Sequence, residues 1–443
     1  MKFRSIDLEK DSISRLFFNF SFPAVMGMLI SAFYVIVDGI FIGRGIGGDG
    51  LAAINLAYPI ITLTIALSLM FGTGGATVIS IKQGEGNLKE VNRYFSHMII
   101  LNVISYILIC SLTLIFQDKI IFLLGSSEKL FYLTKAYLIP GVIFSIFFML
   151  SISLNAVVRN NNSPNFAMVS MGIGAIVNIL LDALFIIKFK WGMYGAAYAT
   201  GIAQMASALF LLSYFFRKDC NIKFIKETLN LQIIKRICSN GFSSFILEFA
   251  VAIITILFNS TLMILTGEIG VAAFSIIAYI FYVFRMIFNG LAQGIQPIIS
   301  YNFGAKHRDR IKATLILGHK ISLIVALSIL SFVYFERNFI IEFFNGDVEL
   351  IKLASRGLLI YSSAVIFLGA NFINISYLQS MEKSGFANIL SFGRSFVFII
   401  IGIFTLPDFI GIDGVWLSLP FADFMTFITG AAVTLKRKNR KIL

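Results

Sequence analysis

Long apolar runs alternate with short polar ones along the whole chain. Twelve runs reach the roughly 20 residues that a helix needs to cross a bilayer: 17–42, 51–80, 94–116, 131–158, 166–187, 195–216, 241–266, 272–300, 313–335, 353–378, 386–406 and 415–435. Membrane-barrel strands need only about 9–11 residues, so runs of this length predict helices. The longest runs predict tilt or short extensions beyond the bilayer. The expected fold class is an all-α membrane protein with twelve transmembrane helices.

The longest polar interruption, 217–240, lies near the middle and divides the chain into two six-helix halves, 1–216 and 241–443. The halves repeat. Moved back by 220 positions, Gly267, Gly270, Ala272 and Ala273 fall on Gly47, Gly50, Ala52 and Ala53, and Ser300 and Gly304 fall on Ser80 and Gly84. Six spans per half make the repeats parallel, with a pseudo-two-fold axis along the membrane normal. That arrangement predicts a cavity between two bundles that rock about it.

Composition agrees. The 443 residues are 58% hydrophobic and only 13% charged, with 47 phenylalanines; soluble domains carry about 25% charged residues. The net charge of +13 reflects lysines and arginines gathered in alternate loops rather than a nucleic-acid surface. About 25 of the 36 lie before Phe17, in 81–93, 159–165, 217–240, 301–312 and 379–385, in the tail Lys436–Lys441, and at Lys320, against about nine on the other side. By the positive-inside rule these segments and both termini are cytoplasmic. The first run is too long for a cleavable signal peptide. Cys110 falls in an apolar run and Cys220 and Cys238 in the basic loop, with neither disulfide nor metal spacing. His97, His307 and His319 fall near cytoplasmic ends and are read as solvated.

Two acids stand out. Asp38 lies in the first run and Asp182 in the fifth, and neither run contains a lysine or arginine. Ionisable groups inside a membrane are expensive and mark function by default. Without a fixed counter-charge, they point to a mobile one, a proton or a metal cation. Counting from the ends of their runs at about 1.5 Å per residue places Asp38, Asp182 and Thr200 at one depth. Asn178 is one turn from Asp182 on the same helical face, and Ala196 one turn from Thr200. Two carboxylates, an amide, a hydroxyl and a carbonyl form an all-oxygen set suited to Na⁺. The same acid pair suits a shared proton. The bland reading is solvated acids partnered by Arg44 and Lys188. The repeat places Phe258 at the position of Asp38, Leu419 at that of Thr200, and approximately Val397 and Gly402 at those of Asn178 and Asp182, so the site is confined to the first half.

Several motifs resemble those of the multidrug and toxic compound extrusion (MATE) transporters. Ala175 through Asp182 resembles the family's Asn-x-x-x-Asp, and Gly195-Ala196-Ala197-Tyr198-Ala199-Thr200 the opening of its sixth helix. Gly294-Ile295-Gln296-Pro297 with Tyr301 through Ala305, Gly411 through Trp416, and the loop from Arg159 to Met168 are similar to further family segments. The resemblance covers essentially the whole chain and implies a bacterial multidrug-export branch. It implies a cation or proton site on Asp38, Asn178, Asp182 and Thr200. It also implies a first-half polar network with positions matching Tyr34, Tyr137 and Asn155, and a bend at Pro23.

The expected function is secondary active export, without a cofactor, of small amphipathic or cationic drugs in exchange for H⁺ or Na⁺. The protein is expected to be a monomer in the bacterial plasma membrane. A flippase for lipid-linked sugars is the alternative; the near-absence of lysine and arginine from the first-half spans, with only Lys135 close to the start of the fourth, counts against it. No HExxH or nucleotide-binding loop is present, which counts against an intramembrane enzyme and ATP drive. The second-half spans carry Glu248, Arg285, Arg394 and Asp423. Depth counting predicts the ion pairs Glu248–Arg394 and Arg285–Asp423, with Glu248 and Arg285 alternatively facing substrate.

Overall fold

A computed structural model describes residues 6–218, 220–342, 344 and 347–438. The side chains of the basic tail Lys436–Lys441 lie outside the described residues. The elements are helical, with no strand among the described residues. The first bundle comprises α1 (Ile13–Gly45), α2 (Gly48–Gly84), α3 (Leu88–Ile115), α4 (Glu128–Asn160), α5 (Pro164–Lys188) and α6 (Gly192–Tyr214). The second comprises α7 (Leu231–Thr266), α8 (Glu268–Gly304), α9 (Arg308–Glu342), α10 (Val348–Ser362 and Val365–Ser380), α11 (Ser384–Ile410) and α12 (Ile412–Lys438). Eleven described helices are long and apolar enough to span alone; α10, bent by 40°, makes a twelfth when counted as one.

Polar caps fix the starts of several spans. The side chains of Asn87, Ser127, Asn230 and Asp347 accept from backbone N–H groups in the first turns of α3, α4, α7 and α10, satisfying donors a helix leaves orphaned. Gly47 (φ 93°) and Gly267 (φ 68°) hold equivalent left-handed turns between α1 and α2 and between α7 and α8, where a side chain would be strained. Pro23 is buried inside α1, which continues as one helix around it. α7 begins inside the segment read as linker, so Cys238 is helical and half-buried.

The two bundles meet on the face carrying the linker and the start of α1. There α2 packs on α7 and α1 on α8. The contacts obey the pseudo-symmetry. A Cβ on Gly84 would run into the carbonyl oxygen of Tyr301, and one on Gly304 into that of Ile81. Gly74 and Gly241 allow α2 and α7 the same close backbone approach. Polar groups lock this seam. Thr73 donates to Ser244 at 3.0 Å, and Gln296 donates to Thr77 and to the Thr73 carbonyl.

Each bundle also sends a strap across. Arg310 and Asn302 of the second bundle donate to the carbonyls of Leu8, and Arg310 also to that of Asp11, ahead of α1. On the first bundle Asn92, Ser96 and His97 of α3 accept from the backbone N–H groups of Lys223, Ile225 and Asn230, ahead of α7. This corrects the reading of the histidines. His97 is fully buried. Its Nδ1 lies 2.8 Å from the Arg93 carbonyl and its Nε2 accepts from Asn230 at 3.0 Å, which fixes a neutral ring protonated on Nδ1. His319 is half-buried against Asn374 at 3.1 Å. Both are structural polar groups rather than solvated ones, because segments distant in sequence fold back over them.

Candidate functional site

The first bundle brings α1, α5 and α6 together around its two acids. Asp182 is fully buried and Asp38 half-buried, and their carboxyl groups lie within hydrogen-bonding reach of each other. Asn178, one turn along α5, is buried and donates to Thr200 Oγ1 on α6 at 3.4 Å. Ala196 is buried one turn from Thr200, in the cluster of Ile42, Tyr137 and Ile186. Asp38, Asp182 and Thr200, expected at one depth, and Asn178, expected one turn away, are therefore brought to one place.

The donor–acceptor balance of this cluster is lopsided. Both oxygens of Asp182, Oδ1 of Asp38 and Oδ1 of Asn178 are buried without a hydrogen-bond donor. Buried polar atoms in a folded protein are nearly always paired, and two bare carboxylates in contact repel. Neither Arg44 nor Lys188 is among the groups acting on the two acids. No set of three or more His, Cys, Asp or Glu gathers among the described residues. The donors thus fit a proton, or a hard monovalent cation held by two carboxylates and neutral oxygens, rather than a transition metal. Immediately after Asp182 the helix widens into a π-turn, Ala183–Lys188, an irregularity frequent at functional sites.

The expected polar network is realised in part. Tyr34, one turn from Asp38, accepts from Gln204 Nε2 at 3.4 Å, and Gln204 Oε1 accepts from Ser151 at 2.8 Å. Tyr137 is buried and lines a cavity of about 80 Å³ with Thr64, Phe144, Phe148, Thr200 and Gln204. Asn155 is not part of this group. It donates to the Ala167 carbonyl at 2.8 Å and to Ser170, and accepts from Arg159. Eighteen residues along α4 from Tyr137, or roughly 27 Å, it ties α4 to α5 near the sealed face. Gln204 was missed by the sequence reading. The signal was available: it is one turn from Thr200 and the only amide in its apolar run.

The charges of the second bundle pair differently from expectation. Arg285 donates to Glu248 at 2.9 Å, joining α8 to α7. Arg394 donates through Nε and Nη2 to the two oxygens of Asp423 at 2.6 and 3.2 Å, joining α11 to α12. Asn371 of α10 adds a donor to Asp423 Oδ1 at 3.0 Å. Both expected pairs are wrong, because counting from helix ends gives height but not the direction a side chain faces. A π-turn, Gly393–Phe398, contains Arg394 and alters the helical register there. The Arg394–Asp423 pair is almost fully buried, whereas Glu248 and Arg285 are partly exposed. Tyr282 and, from the first bundle, Tyr58 lie within their electrostatic reach.

A two-bundle, twelve-span membrane fold with a counter-charge-free acid pair in one bundle defines a polytopic transport-type architecture. The MatE profile matches residues 23–184 and 243–405, one match per half, and the chain belongs to the MatE family. Similar proteins include the multidrug export protein MepA of Staphylococcus saprophyticus, 25% identical over 440 residues, covering 98% of this chain and 96% of that one. MepA of Staphylococcus haemolyticus is 27% identical over 438 residues, covering 98% and 95%. A solved structure described as the outward-facing conformation of a multidrug resistance MATE family transporter of the MOP superfamily superposes with a TM-score of 0.92 at 21% identity, covering 99% of this chain and 98% of that one.

Proposed function

We propose that this protein is a multidrug efflux transporter that exports amphipathic and cationic compounds by alternating access, driven by H⁺ or Na⁺ moving inward. The observation that carries the ion-coupled reading is the set of buried acceptor oxygens on Asp38, Asp182 and Asn178 without a donor. A proton or cation arriving there relieves carboxylate repulsion. Coupling follows if that ion binds more tightly in one conformation than in the other. Export as the direction, and drugs as the cargo, rest on the similarity to multidrug export proteins. The sealed face is taken as cytoplasmic from its lysines and arginines, with both termini there and a monomer in the bacterial plasma membrane. Bundles 1–216 and 241–443 then move about the linker 217–240. Arg285 and Arg394 are each committed to an acid, which weighs against a flippase that must bind phosphate in the cavity.

The test is reconstitution in liposomes with a pH gradient or a Na⁺ gradient imposed separately, following efflux of a fluorescent cation. Efflux stimulated by one gradient supports the reading. Efflux indifferent to both refutes ion coupling.

A further inference from the structure

Gln204 stands one turn beyond Thr200 on α6, on the same helical face. The two residues make different connections. Thr200 accepts from Asn178, and so touches the acid cluster. Gln204 joins Ser151 on α4 to Tyr34 on α1. In either orientation of its carboxamide, one end meets Ser151 and the other Tyr34. Both Thr200 and Gln204 line the same cavity.

Tyr34 is the group that looks both ways. It lies one turn from Asp38, within electrostatic reach of Asp38 and Asp182, and also of Tyr282 on the second bundle. Its hydroxyl accepts from Gln204, so its own proton remains to be donated, and none of its contacts uses it. Asp38 Oδ1, on the same face of α1, has no donor. A bare Asp38 carboxylate is an acceptor for that proton. An Asp38 that carries a proton or a cation competes for it less.

We propose that Gln204 is a positioning residue that couples occupancy of the Asp38/Asp182 cluster to substrate binding, by holding Tyr34 between the acids and the second bundle. The inference rests on the ion-coupled reading above. Energetic coupling between two sites needs an element whose arrangement both of them bias, and Tyr34, restrained by Gln204, is that element. Gln204 itself contacts neither acid in a way that would make it an ion ligand.

The test uses purified full-length protein and ethidium, a fluorescent aromatic monocation. Its dissociation constant is measured by fluorescence polarisation at pH 8 without Na⁺, at pH 8 with Na⁺, and at pH 6. Wild type is expected to show an ion-dependent change in affinity of the size usual for coupled sites, about 5–150-fold. Asp182→Asn should abolish that change. Gln204→Leu, with its own ion-free affinity for ethidium as the reference, should keep the ion-induced rise in melting temperature. Its ion-dependent change in affinity should fall to about twofold or less. Tyr34→Phe, which keeps the ring and loses the proton, should show the same loss and serves if Gln204→Leu does not fold. A full ion-dependent change in either variant overturns the proposal. A wild type without any ion effect, or an Asp182→Asn variant that keeps it, refutes the ion-coupled reading instead and takes the proposal with it.

Discussion

Arg394 holds both carboxylate oxygens of Asp423, and on the register that sets Leu419 on Thr200, Asp423 stands where the first bundle has Gln204. The two bundles share a backbone plan but differ in their electrostatics. In the second, a tethered guanidinium neutralises the buried acid, and Asn371 supplies a further donor. In the first, the neutral Gln204 leaves no charge at that level, and the acids stand on α1 and α5 with no lysine or arginine acting on them among the described residues. One bundle is thus electrically closed at its buried acid, and the other leaves its acids unpaired.

Asp38→Asn and Asp182→Asn are each expected to abolish gradient-driven efflux in liposomes while the protein remains folded. Neutralising an acid that lacks a partner removes a desolvation cost, so the melting temperature in detergent should hold or rise. Full transport by both variants would remove the acids from the mechanism.

Arg394→Met should do the opposite. It leaves Asp423 buried and unpaired, at a cost of about 3–5 kcal/mol, whereas replacing both partners by apolar groups is often near neutral. The double variant Arg394→Met/Asp423→Leu is therefore expected to recover most of the lost stability, and the ion dependence of efflux should be that of wild type. A double variant as unstable as Arg394→Met would show that the pair acts separately.

How far the sequence reaches is clear from particular residues. The spans were legible because apolar length is itself the physical requirement for crossing lipid. Asp38, Asn178, Asp182 and Thr200 were legible as a group because equal depth and helical spacing place them together. The Glu248–Arg285 pairing was not, because height along a helix says nothing of azimuth. The bend in α10 was hidden as well. Neither a proline nor a glycine marks it; Ser363 lies at the break, its Oγ donating to the Ile360 carbonyl at 2.7 Å, and such back-bonding bends helices. The burial of His97 depends on the linker folding back on α3, a contact between residues too far apart for any local pattern to carry.

Glu248→Gln tests the second pair. It leaves Arg285 as an uncompensated cation beside Tyr58 and Tyr282, where the bundles face each other. With its side chains only 14% and 18% exposed the pair is largely buried, and removing one partner of such a pair costs up to about 3–5 kcal/mol, so the melting temperature should fall. Efflux of a cationic dye should weaken relative to a neutral compound of similar size. Equal effects on both compounds would place the pair outside the substrate's path.

Gly84 and Gly304 test whether the seam between the bundles is a gate. Each lies against a carbonyl of the other bundle, Gly84 at Tyr301 and Gly304 at Ile81. A methyl group at either position cannot be absorbed by a rotamer change, because the opposing atom is backbone. The helices must therefore separate on this face, which weakens the Thr73–Ser244 and Gln296–Thr77 bonds two to three turns further along the same seam. Gly84→Ala and Gly304→Ala should accordingly shift the population toward opening at this face, and by similar amounts because the pseudo-axis relates them. The measurement is disulfide formation between Thr73→Cys and Ser244→Cys, in a background without Cys110, Cys220 and Cys238. The parent hydroxyls are 3.0 Å apart, so the parent should cross-link readily and both alanine variants poorly. Efflux should fall in both, since a transporter held open on one side cannot complete its cycle. Undiminished cross-linking with normal efflux would show that the seam yields locally and that these glycines do not set the balance between the two states.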